Sequence, residues 1–242
     1  MANYWNAAYD EISAADEIQL SIEINQTAAR NANAANAYHS ALVFAQRAAD
    51  FANKKHHEQN PRQTFDVYFE LARTQFLNGN ISQSQKLSEE LIHRSNNLAD
   101  DSRCYALLKD IITNQGSDYP HAVQLGCAIL NKAGIAIPES TVDTIQSIEQ
   151  LEKQINAQLL DSSTKDITTQ LSTLPNTDYG DHKQKLRLLM ELWEAAYYAG
   201  NAELMNLCAM HMVEQSLKHG NASESAFAYV LFAIRPETVE SI

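Results

Sequence analysis

Apolar and polar positions between Tyr68 and Ile92 follow the pattern of two helices separated by a short break. One face is formed by Tyr68, Leu71 and Ala72 before the break, and a second face is marked by Ile81, Ser84 and Leu91 after it. Residues three and four apart lie on one face of a helix, so each set predicts one packed face. The break, Asn78-Gly79-Asn80, ends the first helix and lets the chain reverse. The stretch therefore predicts an antiparallel helical hairpin.

The same order of residue types returns about 37 residues downstream. The matching residues are Tyr105, Leu108, Gly116, Tyr119, Ala122 and Ile129, with one extra residue in the turn before Tyr119. A third, more diverged hairpin runs from Leu186 to Leu217, with Gly200 at its turn. A period of roughly 34 to 45 residues with aromatic, leucine and small residues at fixed offsets is typical of stacked helical hairpins of the tetratricopeptide type.

Most of the remaining chain also has helical periodicity. We predict further helices over residues 3–13, 16–33, 34–52 and 141–160, and another that begins at Ser225 and runs into Arg235-Pro236. A loop-rich region around 161–180 should contain one short helix. With only 7 glycines and 5 prolines, and few β-branched runs, nothing favours a sheet. The prediction is an all-α fold of antiparallel helical hairpins, stacked as a tetratricopeptide-like right-handed superhelix. We expect residues 1–242 to form a single helical-repeat domain, and to be a fragment of a longer protein because an apolar helix stands close to the end.

Composition restricts the partners of the chain. Its formal net charge is −12 and its pI is near 5.0, which opposes attraction to phosphate backbones and to anionic lipids. We therefore expect no nucleic-acid partner and no membrane partner, and no apolar run approaches the roughly 20 residues of a membrane span. The three cysteines, Cys104, Cys127 and Cys208, stand far apart on predicted helices among apolar neighbours. This pattern is typical of buried thiols in a reducing compartment and indicates a cytoplasmic localisation.

Residues that could carry chemistry are few. Cys208 and His211 stand three apart on one predicted helix with Met205 and Met212 nearby, a set that a soft metal could use. Metal sites usually have more ligands at defined spacing, so we interpret this helix as part of a packed hairpin. The pair His56-His57 falls in a polar loop, where we expect solvated side chains.

The sequence contains no recognisable catalytic motif. The pairs Glu89-Glu90 and Asp100-Asp101 are adjacent on the chain, so their side chains point in different directions, and we expect solvent-exposed charge. No glycine-rich phosphate loop followed by Lys-Ser or Lys-Thr occurs, and no kinase signature is found. The predicted protein is therefore not an enzyme and needs no metal or cofactor.

The concave face of stacked hairpins is the better functional candidate. In tetratricopeptide-like repeats the first helix of each hairpin lines that face, and it offers a polar surface with aromatic anchors that suits a protein segment. The residues placed there by the repeat register are Asp66, Phe69, Arg73 and Phe76 in the first repeat, Arg103, Ala106, Asp110 and Thr113 in the second, and Arg187, Met190, Glu194 and Tyr197 in the third. The face lacks the run of basic residues needed to capture a terminal carboxylate.

Several segments together resemble a known family. They are Asp16 to Ala52 with Ala28-Ala29-Arg30 and Ala37-Tyr38, Asn114-Gln115-Gly116, Tyr119, Ala122-Val123, Gly126, Leu130, Gly134-Ile135, Pro138, Leu174-Pro175, and Gly220-Asn221 with Glu224-Ser225-Ala226 and Ala228-Tyr229. The chain is similar along most of its length to the tetratricopeptide-like helical region that follows the predicted STAND-type ATPase domain in large bacterial signalling proteins. Those proteins join a kinase-like domain, the ATPase, this helical region, and GAF and histidine-kinase modules. The chain departs from the repeat pattern at Asp118, which lengthens a turn, and at Ser84, where such repeats usually have Ala.

The resemblance implies a non-catalytic scaffold for protein interaction and regulation in a larger signalling ATPase. Its expected partners are a protein segment or other domains of the parent chain, and self-association through terminal repeats stays open. The alternative is a small-molecule effector sensor that holds its ligand inside the superhelix, and an unrecognised enzyme is a third, weaker one. A pocket with convergent polar groups would favour the sensor, whereas an open groove or a broad apolar patch would favour the scaffold.

Overall fold

The fold of this chain is built from helices. A computed structural model describes residues 2–54, 61–116, 118–160, 167–177 and 180–234, and 81% of these residues are helical with no strands among them. The predicted all-α class is thereby confirmed for the described residues. The chain divides into two compact units, residues 1–95 (unit 1) and 96–242 (unit 2), each of which has its own packing.

Unit 1 consists of a short first helix and two hairpins. The second hairpin's first helix, α4, packs against both helices of the preceding hairpin, α2 and α3. Alanines make this close approach possible, since Ala29 on α2 and Ala45 and Ala48 on α3 are almost fully buried around Phe51. The helices of unit 1 are α1 (Ala2–Ala7), α2 (Ala15–Ala34), α3 (Tyr38–Ala52), α4 (Pro61–Leu77) and α5 (Ile81–Arg94).

In unit 2, too, the first helix of one hairpin packs against both helices of another. The core helix of unit 2 is α10, which packs against α6, α7 and α11 and buries Leu186, Leu188, Leu189 and Leu192 completely. Helices α8 and α12 pack on α11. The helices described in unit 2 are α6 (Leu98–Gln115), α7 (Tyr119–Lys132), α8 (Thr141–Leu160), α9 (Ile167–Ser172), α10 (Gly180–Tyr198), α11 (Ala202–His219) and α12 (Ser225–Ile234).

Three hairpin turns share one construction, as the sequence predicts for Gly79 and Gly200. In each turn the second residue after the helix takes a left-handed conformation: Asn36 with φ 57°, Gly79 with φ 81° and Gly200 with φ 69°. The following backbone N–H then donates to the carbonyl five residues earlier, at 2.8 Å from Ala37 to Ala32, 2.9 Å from Asn80 to Gln75 and 2.9 Å from Asn201 to Ala196. These bonds satisfy carbonyl groups that the helix end leaves open.

The hairpin of α6 and α7 in unit 2 is held by a close approach at Gly126. A methyl group at this position would lie 2.5 Å from the Tyr105 hydroxyl and 2.9 Å from Leu192 Cδ1. Tyr105 is fully buried, and its hydroxyl donates to the backbone oxygen of Ala122 at 3.0 Å. Glycine at 126 therefore makes room for a tyrosine beneath α7. At Ser84, the departure noted in the sequence, the hydroxyl donates to Ala72 O at 2.7 Å, which satisfies the extra polar group.

The loop-rich region contains the predicted short helix, α9, while residues 161–166 and 178–179 lie outside the described residues. Residues after α9 are fastened to the α11–α12 turn. Thr177 N donates to Asn221 O and Asn221 N donates to Pro175 O, both at 2.7 Å. The Asn221 amide also donates to Leu171 O and accepts from the Tyr229 hydroxyl.

The expected range of α8 is confirmed, whereas the expected exposure of an acidic pair on α6 is wrong. Helix α8 spans Thr141–Leu160 as predicted, and Ser140 Oγ accepts the backbone N–H of Asp143 at 3.1 Å. The expectation that Asp100 and Asp101 are exposed is wrong, because they are only 4% and 2% exposed. Both stand in the first turn of α6, where the helix dipole favours anions, and Asp101 also accepts from Lys132 at 3.0 Å.

The three cysteines are free thiols on helices, with Cys104 and Cys208 buried and Cys127 half-buried. Burial raises the pKa of Cys104 to about 12 and that of Cys127 to about 11, and it raises the pKa of Cys208 well above its usual value. All three are therefore protonated near neutral pH. Within the described parts of the chain, none of the helices has both the length and the apolar character needed to cross a bilayer.

Candidate protein-binding surface

The predicted face residues of unit 1 lie on α4 beside a buried carboxylate. Glu70 is 7% exposed and accepts from Asn33 Nδ2 at 3.1 Å. Two guanidinium groups stand farther out, Arg30 at 3.9 Å and Arg73 at 4.0 Å from the carboxylate oxygens. Asp66 pairs with Arg62 at 3.3 Å, Phe69 stacks on Phe65 with ring centroids 6.1 Å apart, and Phe76 is half-buried.

The predicted face residues of unit 2 lie on α6 and α10, and two of them meet at Lys109. Lys109 Nζ lies 2.5 Å from Glu194 Oε2, 2.8 Å from Glu191 Oε2 and 3.1 Å from Asp110 Oδ1. We call these four residues the Lys109 cluster. The structure therefore brings Asp110 and Glu194 together, with Tyr197 one turn further along α10. Arg103, which is 3.6 Å from Asp100, and the exposed Arg187 lie about two turns earlier on their helices.

The Lys109 cluster carries more negative than positive charge. Burial of the Lys109 amine disfavours its charged form, but the hydrogen bonds that the amine donates to Glu191 and Glu194 outweigh burial and raise the pKa of Lys109. The amine is thus a permanent cation facing three carboxylates. Two of these acids reach the surface, since the Asp110 and Glu194 side chains are 53% and 42% exposed.

Beside this cluster, five aromatic rings form a continuous chain, which we call the aromatic ladder: Tyr119, Tyr198, Tyr197, Trp193 and Phe227. Neighbouring ring centroids are 5.4 Å apart for Tyr119 and Tyr198, 5.5 Å for Tyr198 and Tyr197, 5.9 Å for Tyr197 and Trp193, and 5.4 Å for Trp193 and Phe227. Three come from α10, one from the start of α7 and one from α12. Tyr197 and Tyr198 are 59% and 44% exposed. Aromatic rings of this kind usually prefer burial, so their exposure marks a surface suited to a partner.

Sequence reasoning found only part of this surface. The repeat register placed Tyr197, Glu194 and Asp110 correctly on the first helices of their hairpins. It missed Lys109, Glu191 and Trp193. The available signal was spacing along one helix, since Tyr197 and Tyr198 stand four and five residues after Trp193. Tyr119 and Phe227 could not be added because they come from other helices.

Unit 2 also contains a cavity of about 510 Å³ between α7, the α7–α8 connection, α8 and the start of α11, which we call the α7–α8–α11 cavity. Its volume lies in the range of small-molecule sites. Two polar side chains that line the cavity are bonded to backbone N–H groups. Asn131 Oδ1 accepts from Ile137 N at 2.8 Å, and Asn201 Oδ1 accepts from Leu204 N at 3.0 Å. Glu139 and Glu203 also line the cavity.

The residues weighed for metal binding have other contacts. His211 Nδ1 lies 3.2 Å from Glu214 Oε2 and its Nε2 lies 3.3 Å from Ala136 O, while Cys208 is fully buried. Among the described residues, no group of three or more His, Cys, Asp or Glu side chains could hold a metal ion. The pair His56-His57 lies outside the described residues.

The chain was compared with protein families, curated proteins and solved structures. No protein-family model matches the chain, and neither a curated protein nor a solved structure matches it. The resemblance to the helical region of bacterial signalling ATPases therefore stays a prediction. Function has to be inferred from the geometry of the two units.

Proposed function

We propose that this chain is a non-catalytic helical-repeat module that binds a protein segment at the aromatic ladder of unit 2. Following the resemblance, the module regulates a larger signalling ATPase in the cytoplasm, and its partner is another protein or another domain of the parent chain. The cytoplasm is a reducing compartment, and three thiols that stay protonated are compatible with it.

The proposal includes a stacking of hairpins as a tetratricopeptide-like right-handed superhelix. Its support is a packing contact that recurs within each unit. Helix α4 packs against α2 and α3, and α10 packs against α6 and α7, so the first helix of one hairpin meets both helices of another. Repeats of this class stack through such contacts. In unit 2 the helices α8 and α9 come between these hairpins in sequence, and α8 packs on α11.

The observation that carries the proposal is the exposure of the aromatic ladder. Tyrosine and tryptophan often supply the binding energy of protein interfaces, because they cover a large apolar area and lose little conformational entropy. In the ladder, Trp193 is half-buried against Phe227 and supports the exposed Tyr197, so the outer ring is held in place. A rigid aromatic surface of this kind binds a partner without first being ordered.

Site-specific crosslinking tests the location of the binding surface. The photoreactive residue p-benzoylphenylalanine replaces Tyr197 in the full-length chain, expressed in its native cells, and adducts are identified after irradiation by mass spectrometry. We expect defined adducts to a peptide of another protein or domain. The matched control carries the same residue at Tyr4, which is 85% exposed in unit 1.

Two outcomes decide this test. Adducts formed at position 197 but not at position 4, and suppressed when Trp193→Ala is also present, would support the ladder as the binding surface. An equal, diffuse adduct pattern at both positions would contradict it.

A small-molecule sensor is the second candidate, because the α7–α8–α11 cavity has the volume of a ligand site. Under this alternative a metabolite fills the cavity and stabilises unit 2. A metabolite panel screened by thermal denaturation would reveal it as a rise in melting temperature. Ala128→Phe, which places a ring on the cavity wall, should remove that rise, whereas a rise that persists in the variant would place the ligand elsewhere.

A further inference from the structure

We propose that the segment which docks on the aromatic ladder presents an arginine, whose guanidinium lies on Tyr197 and pairs with Glu194 and Asp110. This inference rests on the proposed function and names the chemistry of its partner.

The first step is the surplus of carboxylates in the Lys109 cluster. One amine faces three acids, and the amine is the buried member with a side chain only 6% exposed. Asp110 and Glu194 direct part of their carboxylate surface to solvent. A second cation arriving from outside could therefore pair with these acids without displacing Lys109.

The second step is the position of Tyr197 relative to Glu194. They stand three residues apart on α10, so their side chains are neighbours on one face of the helix. Tyr197 stacks on Trp193 at an interplanar angle of 11° and is 59% exposed. An aromatic face with a carboxylate one turn away offers both contacts that a guanidinium makes well, a cation–π contact and a forked hydrogen bond.

The third step is the choice among charged groups. Arginine is favoured over lysine because its flat guanidinium stacks on a ring and binds a carboxylate with two parallel N–H donors. An acidic segment is disfavoured, because Asp110 and Glu194 would repel it. Arg103 and Arg187, the two arginines among the predicted face residues of unit 2, lie about two turns away on α6 and α10.

The charge of the whole unit points the same way. Nineteen of the thirty acidic residues but ten of the eighteen basic residues lie between positions 96 and 242, a formal net charge of −9, against −3 for residues 1–95. Unit 2 therefore attracts a basic segment and orients its approach.

The experiment is a selection from a random peptide library displayed on phage, with the intact chain as bait and the Tyr197→Ala variant for counter-selection. Selected peptides are synthesised, and their affinity is measured by fluorescence anisotropy. We expect arginine to be enriched over the input library. Replacing that arginine by citrulline, which keeps the shape but not the charge, should weaken binding about tenfold or more.

Variants of the protein supply the second readout. Asp110→Asn and Glu194→Gln should each weaken the arginine peptide severalfold and leave the citrulline peptide nearly unchanged, because only the charged peptide pairs with these acids. Glu90→Gln, an exposed acid of unit 1, is the matched control. Circular dichroism and thermal melting of every variant show that the fold is kept, and Asp110→Asn remains informative if Glu194→Gln destabilises unit 2.

The outcomes distinguish a failure of the inference from a failure of the function on which it rests. Peptides that need Tyr197, carry arginine and lose affinity as citrulline support both. Peptides that need Tyr197 but show no arginine enrichment, or bind equally as citrulline, overturn the inference and leave the proposed function standing. A selection that yields no peptide dependent on Tyr197 overturns the inference together with the docking surface.

Discussion

Tyr68 and Tyr105 hold the same position in two hairpins, one in each unit, but the two rings have different surroundings. Tyr105 is fully buried and donates to Ala122 O, whereas Tyr68 is half-buried and donates to Asn53 Oδ1 at 2.6 Å. The residue that lies above Tyr105 is Gly126, and the corresponding residue of the α4–α5 hairpin is Ser88, whose hydroxyl donates to Ser84 O. The hairpin with glycine at this position buries its tyrosine completely, and the hairpin with serine there leaves its tyrosine half-buried.

The buried charges of the two units differ in a similar way. On α4 of unit 1 the buried group is the acid Glu70, and two arginines stand near it at the surface. At the matching position of α10 in unit 2 stands Glu191, but there the buried group is the amine Lys109, and the acids lie outside it. The site around Glu70 thus combines one acid with two arginines, whereas the Lys109 cluster combines one amine with three acids. The predictions that follow test this contrast, from the largest expected effect to the smallest.

Lys109→Met should have the largest effect on stability. Removing the amine leaves Glu191, Glu194 and Asp110 without their cation, and we expect unit 2 to lose about 3 kcal/mol of unfolding free energy. The measurement is urea denaturation followed by Trp193 fluorescence in a Trp5→Phe background, since the chain has only these two tryptophans. Lys86→Met, at an exposed lysine of unit 1, is the control. An equal loss in both variants would show that the Lys109 cluster contributes nothing specific.

Gly126→Ala tests the close approach above Tyr105. The added methyl group collides with the Tyr105 hydroxyl and Leu192, and we expect a loss of about 2 kcal/mol despite the better helix propensity of alanine. Combining it with Tyr105→Phe, which removes the colliding oxygen, should cost less than the sum of the single changes in a double-mutant cycle. Strict additivity would mean that the tyrosine hydroxyl does not limit the approach of α7.

The left-handed turn at Gly79 is tested by two substitutions. Nothing lies within 4 Å of a methyl group there, so the only penalty comes from φ 81°. Gly79→Val should cost about 1 to 2 kcal/mol and Gly79→Asn clearly less. Asn36, at φ 57° in the equivalent turn, shows that asparagine is accommodated. Trp5 fluorescence in a Trp193→Phe background reports unit 1, and equal losses from valine and asparagine would contradict the role of φ.

Glu214 gives unit 2 a dependence on pH that has the smallest expected effect. The hydrogen bond from His211, against the opposing effect of burial and with help from Lys218, lowers the pKa of Glu214 from 4.5 to about 2. Because the folded state holds this carboxylate ionised, its contribution is fully present above pH 4.5 and is lost as the pH falls towards 2. Glu214→Gln should therefore cost about 1 kcal/mol near pH 6 and progressively less below pH 4.5.

Urea denaturation at several pH values in the Trp5→Phe background measures the difference between the native chain and Glu214→Gln. A difference that stays constant from pH 6 to pH 3 would show that Glu214 is not held ionised by these partners.

Much of the fold was predictable because local signals agree with one another. Gly79 and Gly200 marked hairpin turns, and the apolar periodicity marked most helices, including α8. Asp100 and Asp101 were misjudged because a charge pair on the chain says nothing about what packs over it. The superhelix and the concave binding face predicted between Asp66 and Tyr197 stay predictions, since they depend on contacts between repeats.

The sequence alone determined the helices, their turns and the acidic character of the second half, because periodicity, capping and charge are properties of neighbouring residues. It also placed Asp110, Glu194 and Tyr197 on the first helices of their hairpins. Only the tertiary structure decided that Lys109 would draw the two acids together and that rings from α7, α10 and α12 would join in one ladder. These contacts link residues up to 85 positions apart, and they depend on how closely helices approach. The distance between packed helices is set by single residues such as Gly126, whose effect appears only when the helices are packed together.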